Sequence, residues 1–185
     1  QERIIQSKLI YVIFAFGVLM AAILLAIILA EPVIAAGGAA HPSFPGMQVG
    51  GDGAARLQHI GMLGFAFHCL LLTQIVLLSM LGVSERYRTL KLGCYMGGCL
   101  GLMLVIAWGM FSNHLQYLDT GITGYFMGFP TATAWQLYGT WLGALPLIII
   151  YSVGFGKFIY TAEDEEKFNA LLAEKISQSE RTTSE

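Results

Sequence analysis

Four stretches of this chain are too long and too apolar to sit on the surface of a water-soluble fold. They are KLIYVIFAFGVLMAAILLAIILA (8–30), IGMLGFAFHCLLLTQIVLLSMLG (60–82), KLGCYMGGCLGLMLVIAWGMF (91–111) and TAWQLYGTWLGALPLIIIYSVGFGKF (133–158). Each approaches or exceeds the ~20 residues that carry a helix across a bilayer core about 30 Å thick. Along such a stretch no water is at hand, so every backbone N–H and C=O must be satisfied within the segment, which a helix does. The sequence therefore predicts an all-α integral membrane protein, a single membrane domain over 1–185 with four transmembrane helices. Composition agrees: 12% of residues are charged, against about 25% in soluble domains. The first stretch starts beside Arg3 and Lys8 like a signal peptide, but exceeds the usual h-region of about 7–15 residues. A retained helix is the expectation.

The basic residues set an orientation. Arg3, Lys8, Arg86, Arg88, Lys91, Lys157, Lys167, Lys175 and Arg181 fall at one end of the predicted bundle, and only Arg56 at the other. The positive-inside rule then places both termini in the cytoplasm of a multi-pass inner-membrane protein, with loops 31–59 and 112–132 outside. After the last span, Thr161 and Asp164 are spaced as a capping box. Phe168, Leu171, Leu172 and Ile176 then recur at helical spacing, predicting a cytoplasmic amphipathic helix over 161–178. Its acidic first turn, Glu163 to Glu166, disfavours an anionic membrane surface and favours a protein neighbour.

In lipid, helices associate where small residues let backbones approach. Gly93, Gly97 and Gly101 fall on one face of helix three, with Gly98 beside them, and Gly139 and Gly143 form a second pair in helix four. Pro146 removes a helical hydrogen bond and is expected to kink the fourth span. Trp108, Trp135, Tyr138 and Trp141 fit an aromatic belt. The two halves share LQHIGMLG (57–64) with WQLYGTWLG (135–143), and SFPG (43–46) with GFPT (128–131), which can be read as a duplicated helical hairpin. Loop 121–130 is nearly uncharged, and its Tyr125, Phe126, Met127 and Phe129 call for cover by lipid or by another chain.

Chemistry-bearing residues are few. Cys69, Cys94 and Cys99 all lie inside predicted spans, and the last two are five positions apart, so no CxxC pair forms. His41, His59 and His114 are expected at the outside face, where converging imidazoles could hold a metal such as copper or zinc, or heme b. Glu31, Asp52 and Asp119 are candidate carboxylates beside them. His68 lies nine residues beyond His59, about 13 Å at 1.5 Å per residue. A histidine at that depth is a candidate for cofactor binding. No phosphate-cradling loop, dinucleotide fingerprint, nucleophile elbow or nucleic-acid motif is present, and the spans carry almost no charge. The chain is not expected to act alone as an enzyme or pump; a self-assembling small transporter is the third possibility.

Residues 100–168 add a resemblance. A helix ending in WGMF, a short outside segment, GFPTATAW and a long helix with a charged tail resemble the two-helix small subunit of sodium/solute symporters. That resemblance implies a chain that assists a larger transport subunit, with Gly128, Phe129, Pro130 and Trp135 as the shared turn and helix start. The expectation is a non-catalytic accessory subunit without cofactor, contacting lipid and a larger membrane protein, with no nucleic acid. Contact surfaces would be Gly93, Gly97, Gly101, Gly139, Gly143, Phe126, Phe129, Pro130 and Trp135. The alternative is a redox membrane anchor holding heme b, copper or a quinone near the outer face.

Overall fold

A computed structural model of the chain describes residues 2–34, 36–52 and 54–183. Five helices dominate it: α1 (Glu2–Leu29), α2 (Gly61–Gly82), α3 (Leu90–Thr120), α4 (Thr131–Ile159) and α5 (Ala162–Thr183). The first four are long and apolar enough to cross a membrane, each at the place the sequence predicts. They pack in chain order, α1 on α2, α2 on α3 and α3 on α4. Gln74 Nε2 of α2 donates to the Ile13 carbonyl of α1 at 3.3 Å, tying the peripheral helix to the rest.

α3 is the centre of the bundle. Leu92, Met96, Cys99, Met103, Ile106, Ala107 and Phe111 are its buried residues, an i, i+3/i+4 stripe running nearly its whole length. Around Leu92, Met96 and Met103 gather Val76 and Val83 from the end of α2 and Leu147, Ile150, Tyr151 and Phe158 from α4. The Tyr151 hydroxyl donates to the Ser79 carbonyl, joining α4 to α2 at this end. At the other end Phe65 stacks on Phe111 with ring centroids 4.4 Å apart.

α3 is longer than the sequence suggested. The predicted outside loop over 112–132 is helical as far as Thr120, which leaves only 121–130 outside the helices. SNHLQYLDT is polar but contains no glycine or proline, so nothing interrupts the helix once it leaves the apolar stretch. Gly121 stops it: at φ +67 it adopts the left-handed conformation, and its N–H reaches the Tyr117 carbonyl at 2.8 Å. His114, expected just past a helix, therefore stands on one.

Two short antiparallel ladders close the loops. β1 (Ala39–Ala40) pairs with β2 (Gln48–Val49), and β3 (Tyr125–Phe126) with β4 (Phe129–Pro130). The excursion between β1 and β2 is held by His41, whose Nδ1 accepts from the backbone N–H of Ser43 and Phe44 at 3.1 and 3.2 Å. Asp52 Oδ1 accepts from the N–H groups of Ala54 and Ala55, capping the 3-10 turn Ala55–Ile60 that leads into α2.

Candidate functional site

At the loop end of α3 and α4, Met127 and Gly128 have φ of +48 and +85, so both central residues of the β3–β4 turn are left-handed. This is the type I′ arrangement that matches strand twist in a two-residue hairpin. Asparagine or glycine usually fills the position that Met127 takes, so the sequence signal for this turn is weak. The register sets Phe126 opposite Phe129, and both rings meet Tyr138 edge-on, with centroids 6.0 and 6.1 Å away. Since Tyr138 lies seven residues into α4, the hairpin is folded back along the helix rather than standing clear of it. Its other side is bare. Tyr125 is 74% exposed, Met127 71% and nearby Trp141 71%. Between hairpin and helix lies a 360 Å³ apolar cavity lined by Phe126, Ala134, Trp135, Tyr138 and Leu142 among others.

Two sets of glycines are used differently. A Cβ on Gly139 would lie 2.7 Å from Ile106 Cγ2, and one on Gly143 2.8 Å from Ile106 Cδ1, so these two let α3 and α4 approach. Gly109 repays the contact, since a Cβ there would lie 2.8 Å from the Trp135 ring. Trp135, expected as a belt or contact residue, thus packs partly inside the chain. A Cβ on Gly93, Gly97, Gly98 or Gly101 would meet nothing within 4 Å. That face of α3 is uncovered, and a groove of 470 Å³ runs beside it between Cys94, Gly98, Leu102, Pro146 and Ile149.

The histidines separate. The His41 Nδ1 is occupied by its own turn. His59 is half-buried, and its Nδ1 has no partner among the described residues. His114 is exposed and lines crevices of 350 and 340 Å³ with Thr133, Gln136, Tyr117, Thr123 and Tyr125, neither of which includes His59. Among the described residues no three His, Cys, Asp or Glu side chains gather as a metal site would require. His68 faces a third cavity, 250 Å³ between α2, α3 and α4, whose other walls are almost wholly apolar.

The opposite end carries a polar clip that the charge count alone did not reveal. Arg88 donates to the Val83 carbonyl from Nε and to the Leu81 carbonyl from Nη2, both at 2.9 Å, satisfying orphan carbonyls at the end of α2. Arg86 reaches α5, with Asp164 at 2.6 Å, Glu163 at 3.3 Å and the Thr161 hydroxyl at 3.1 Å. Thr161 and Asp164 bond reciprocally as a capping box, Thr161 N–H to Asp164 Oδ2 at 3.0 Å and Asp164 N–H to Thr161 Oγ1 at 3.4 Å. The Thr161 N–H, together with the Thr161 hydroxyl that donates to Oδ2 at 2.8 Å, holds the Asp164 carboxyl below its ordinary pKa, with Arg86 behind them. Lys167 first, then Arg86, lowers that of Glu163. Burial opposes the charge on Arg86, but Asp164 and Glu163 outweigh it and raise the guanidinium pKa. Beyond the clip, Phe168, Leu171, Leu172 and Ile176 of α5 are exposed.

No protein family, curated protein or solved structure matches this chain.

Proposed function

We propose that the protein is a non-catalytic accessory subunit of a larger inner-membrane complex, with both termini in the cytoplasm. The observation that carries the reading is the contrast between the glycine faces. Gly109, Gly139 and Gly143 are spent on the α3–α4 contact, whereas Gly97, Gly98 and Gly101 lie exposed with nothing above them. Lipid chains gain little from a smooth helix face, but a partner helix gains close backbone approach. The bare side of the Tyr125–Pro130 hairpin and the apolar stripe of α5 supply further unfilled surface on the same chain. The resemblance of residues 100–168 to the small subunit of sodium/solute symporters makes a transport complex the partner of choice.

Extraction from host membranes in mild detergent tests this. The chain is expected to migrate with a larger membrane subunit, and the pair Gly97→Leu, Gly101→Leu to release it while the freed chain keeps its melting behaviour. A free monomer of the unaltered chain, together with free labelling by water-soluble maleimide of Met127→Cys in a chain with Cys69, Cys94 and Cys99 replaced, would sink the proposal.

One observation favours a second reading. A buried imidazole nitrogen without a partner is costly, and His59 Nδ1 is such an atom among the described residues. A redox anchor holding heme b, copper or a quinone at that end would satisfy it. This reading requires a visible absorption band or stoichiometric copper in the purified protein, lost in His59→Ala or His114→Ala.

A further inference from the structure

The cavity between α2, α3 and α4 is walled by apolar groups such as Met103, Ile106 and Leu147, with two exceptions, His68 from α2 and Thr140 from α4. Neither side chain has a hydrogen-bond partner among the described residues. Both lie within helices long and apolar enough to cross a membrane. In hydrocarbon an unpartnered imidazole and hydroxyl are expensive, and lipid chains offer neither donor nor acceptor. An ordered water takes about 2–4 polar partners, and these two side chains supply only the minimum for one, leaving the rest of the apolar cavity to be filled by something else. Ile75 and Ile148, at the rim on α2 and α4, are exposed, so the cavity opens sideways between those helices.

We propose that this cavity holds the ring of a lipophilic quinone-class compound, with one carbonyl accepting from the His68 imidazole N–H and the other from the Thr140 hydroxyl. Donors contributed by two different helices suit a flat molecule with acceptors at both edges. At 250 Å³ the space falls below the ~300–1,000 Å³ of pockets that enclose a drug-sized ligand. It takes the ring alone, and the alkyl tail leaves between α2 and α4 into lipid. The site is separate from the end carrying His59 and His114, and it does not depend on the assembly reading, because the isolated chain contains every group it needs.

The test is calorimetric titration of the purified full chain in mild detergent. Decylubiquinone is the probe, and decylbenzene, of similar shape but without carbonyls, the control. Saturable binding of decylubiquinone at one per chain is expected, weakened about fivefold by His68→Leu and by Thr140→Val, the usual effect of losing one net hydrogen bond. His68→Gln keeps a donor and should retain most of the affinity. Ala144→Phe fills the cavity beside Thr140, one turn away on α4, without removing either donor, and should abolish binding. The proposal is overturned if decylbenzene binds as well as the quinone, which would make the cavity a groove for acyl chains. It is equally overturned by no saturable binding, or by binding unchanged in both His68→Leu and Ala144→Phe.

Discussion

Gly139 and Gly101 are the same residue on two helices of one bundle, and adding a methyl group to each has opposite consequences. Relative to alanine, a glycine inside a helix costs about 0.5–1 kcal/mol of backbone entropy. At Gly101 nothing within 4 Å opposes a Cβ, so Gly101→Ala should leave the isolated chain as stable or up to about 1 kcal/mol more so. At Gly139 the new methyl would press on Ile106 Cγ2 at 2.7 Å and the Trp135 ring at 3.3 Å. Overpacking of that kind costs about 1–3 kcal/mol and outweighs the entropic gain, so Gly139→Ala should be destabilising. Thermal or SDS denaturation of the two variants in detergent measures both signs. Equal effects would mean that the two faces are not differently packed. Sequence spacing marked both glycine sets as packing surfaces. Which set is filled depends on where Ile106 and Trp135 fall across the interface, and spacing along one helix carries no such information.

Among the elements, α5 depends on electrostatics more than on burial, because its apolar stripe is exposed and its first turn is gripped by Arg86. The sign of its pH dependence follows from the carboxyls. Asp164 and Glu163 have lowered pKa values in the folded state. Their contribution is therefore complete above the ordinary carboxyl range and lost as pH falls through the depressed values. Arg86 stays charged throughout. Spin labels at Ser84→Cys and Ala170→Cys, in a chain with Cys69, Cys94 and Cys99 replaced, should report one constant separation from neutral pH down to about pH 5, widening below about pH 4. Arg86→Gln should widen it at every pH. A separation indifferent to both acid and Arg86→Gln would mean that something else positions α5. The capping box was legible as Thr161 and Asp164 three apart. The basic residues of SERYR gave an orientation from the sequence, but their task of holding α2 and α5 shows only once the end of α2 and the start of α5 are brought together. The extension of α3 to Thr120 was hidden for a related reason: the apolar run ends at Phe111, whereas the helix ends at the first glycine beyond it, Gly121, at φ +67.

For the whole molecule, the four apolar helices were legible because their signal is a run of about 20 residues, stronger than any single contact. The hairpin was half legible: its apolar residues demanded cover, while Met127 in a left-handed position disguised the turn. The histidines were least legible, since their roles depend on partners distant in sequence. The basic residues argue for one orientation of the bundle, and α3 gives it a measurable geometry. Its 31 residues rise about 46 Å, beyond the ~30 Å hydrocarbon core, so one end must project into water. If Arg86, Arg88 and Lys91 hold the opposite end in the cytoplasm, the projecting part is Ser112–Thr120 and it lies outside. Single cysteines at Asp119 and at Lys175, again with the native cysteines replaced, separate the alternatives. In intact cells a membrane-impermeant maleimide should label Asp119→Cys at once and Lys175→Cys only after the membrane is opened. The reverse pattern would invert the bundle and place the α5 stripe and the Arg86 clip outside. That would take the proposed partner surface on α5 away from any cytoplasmic subunit.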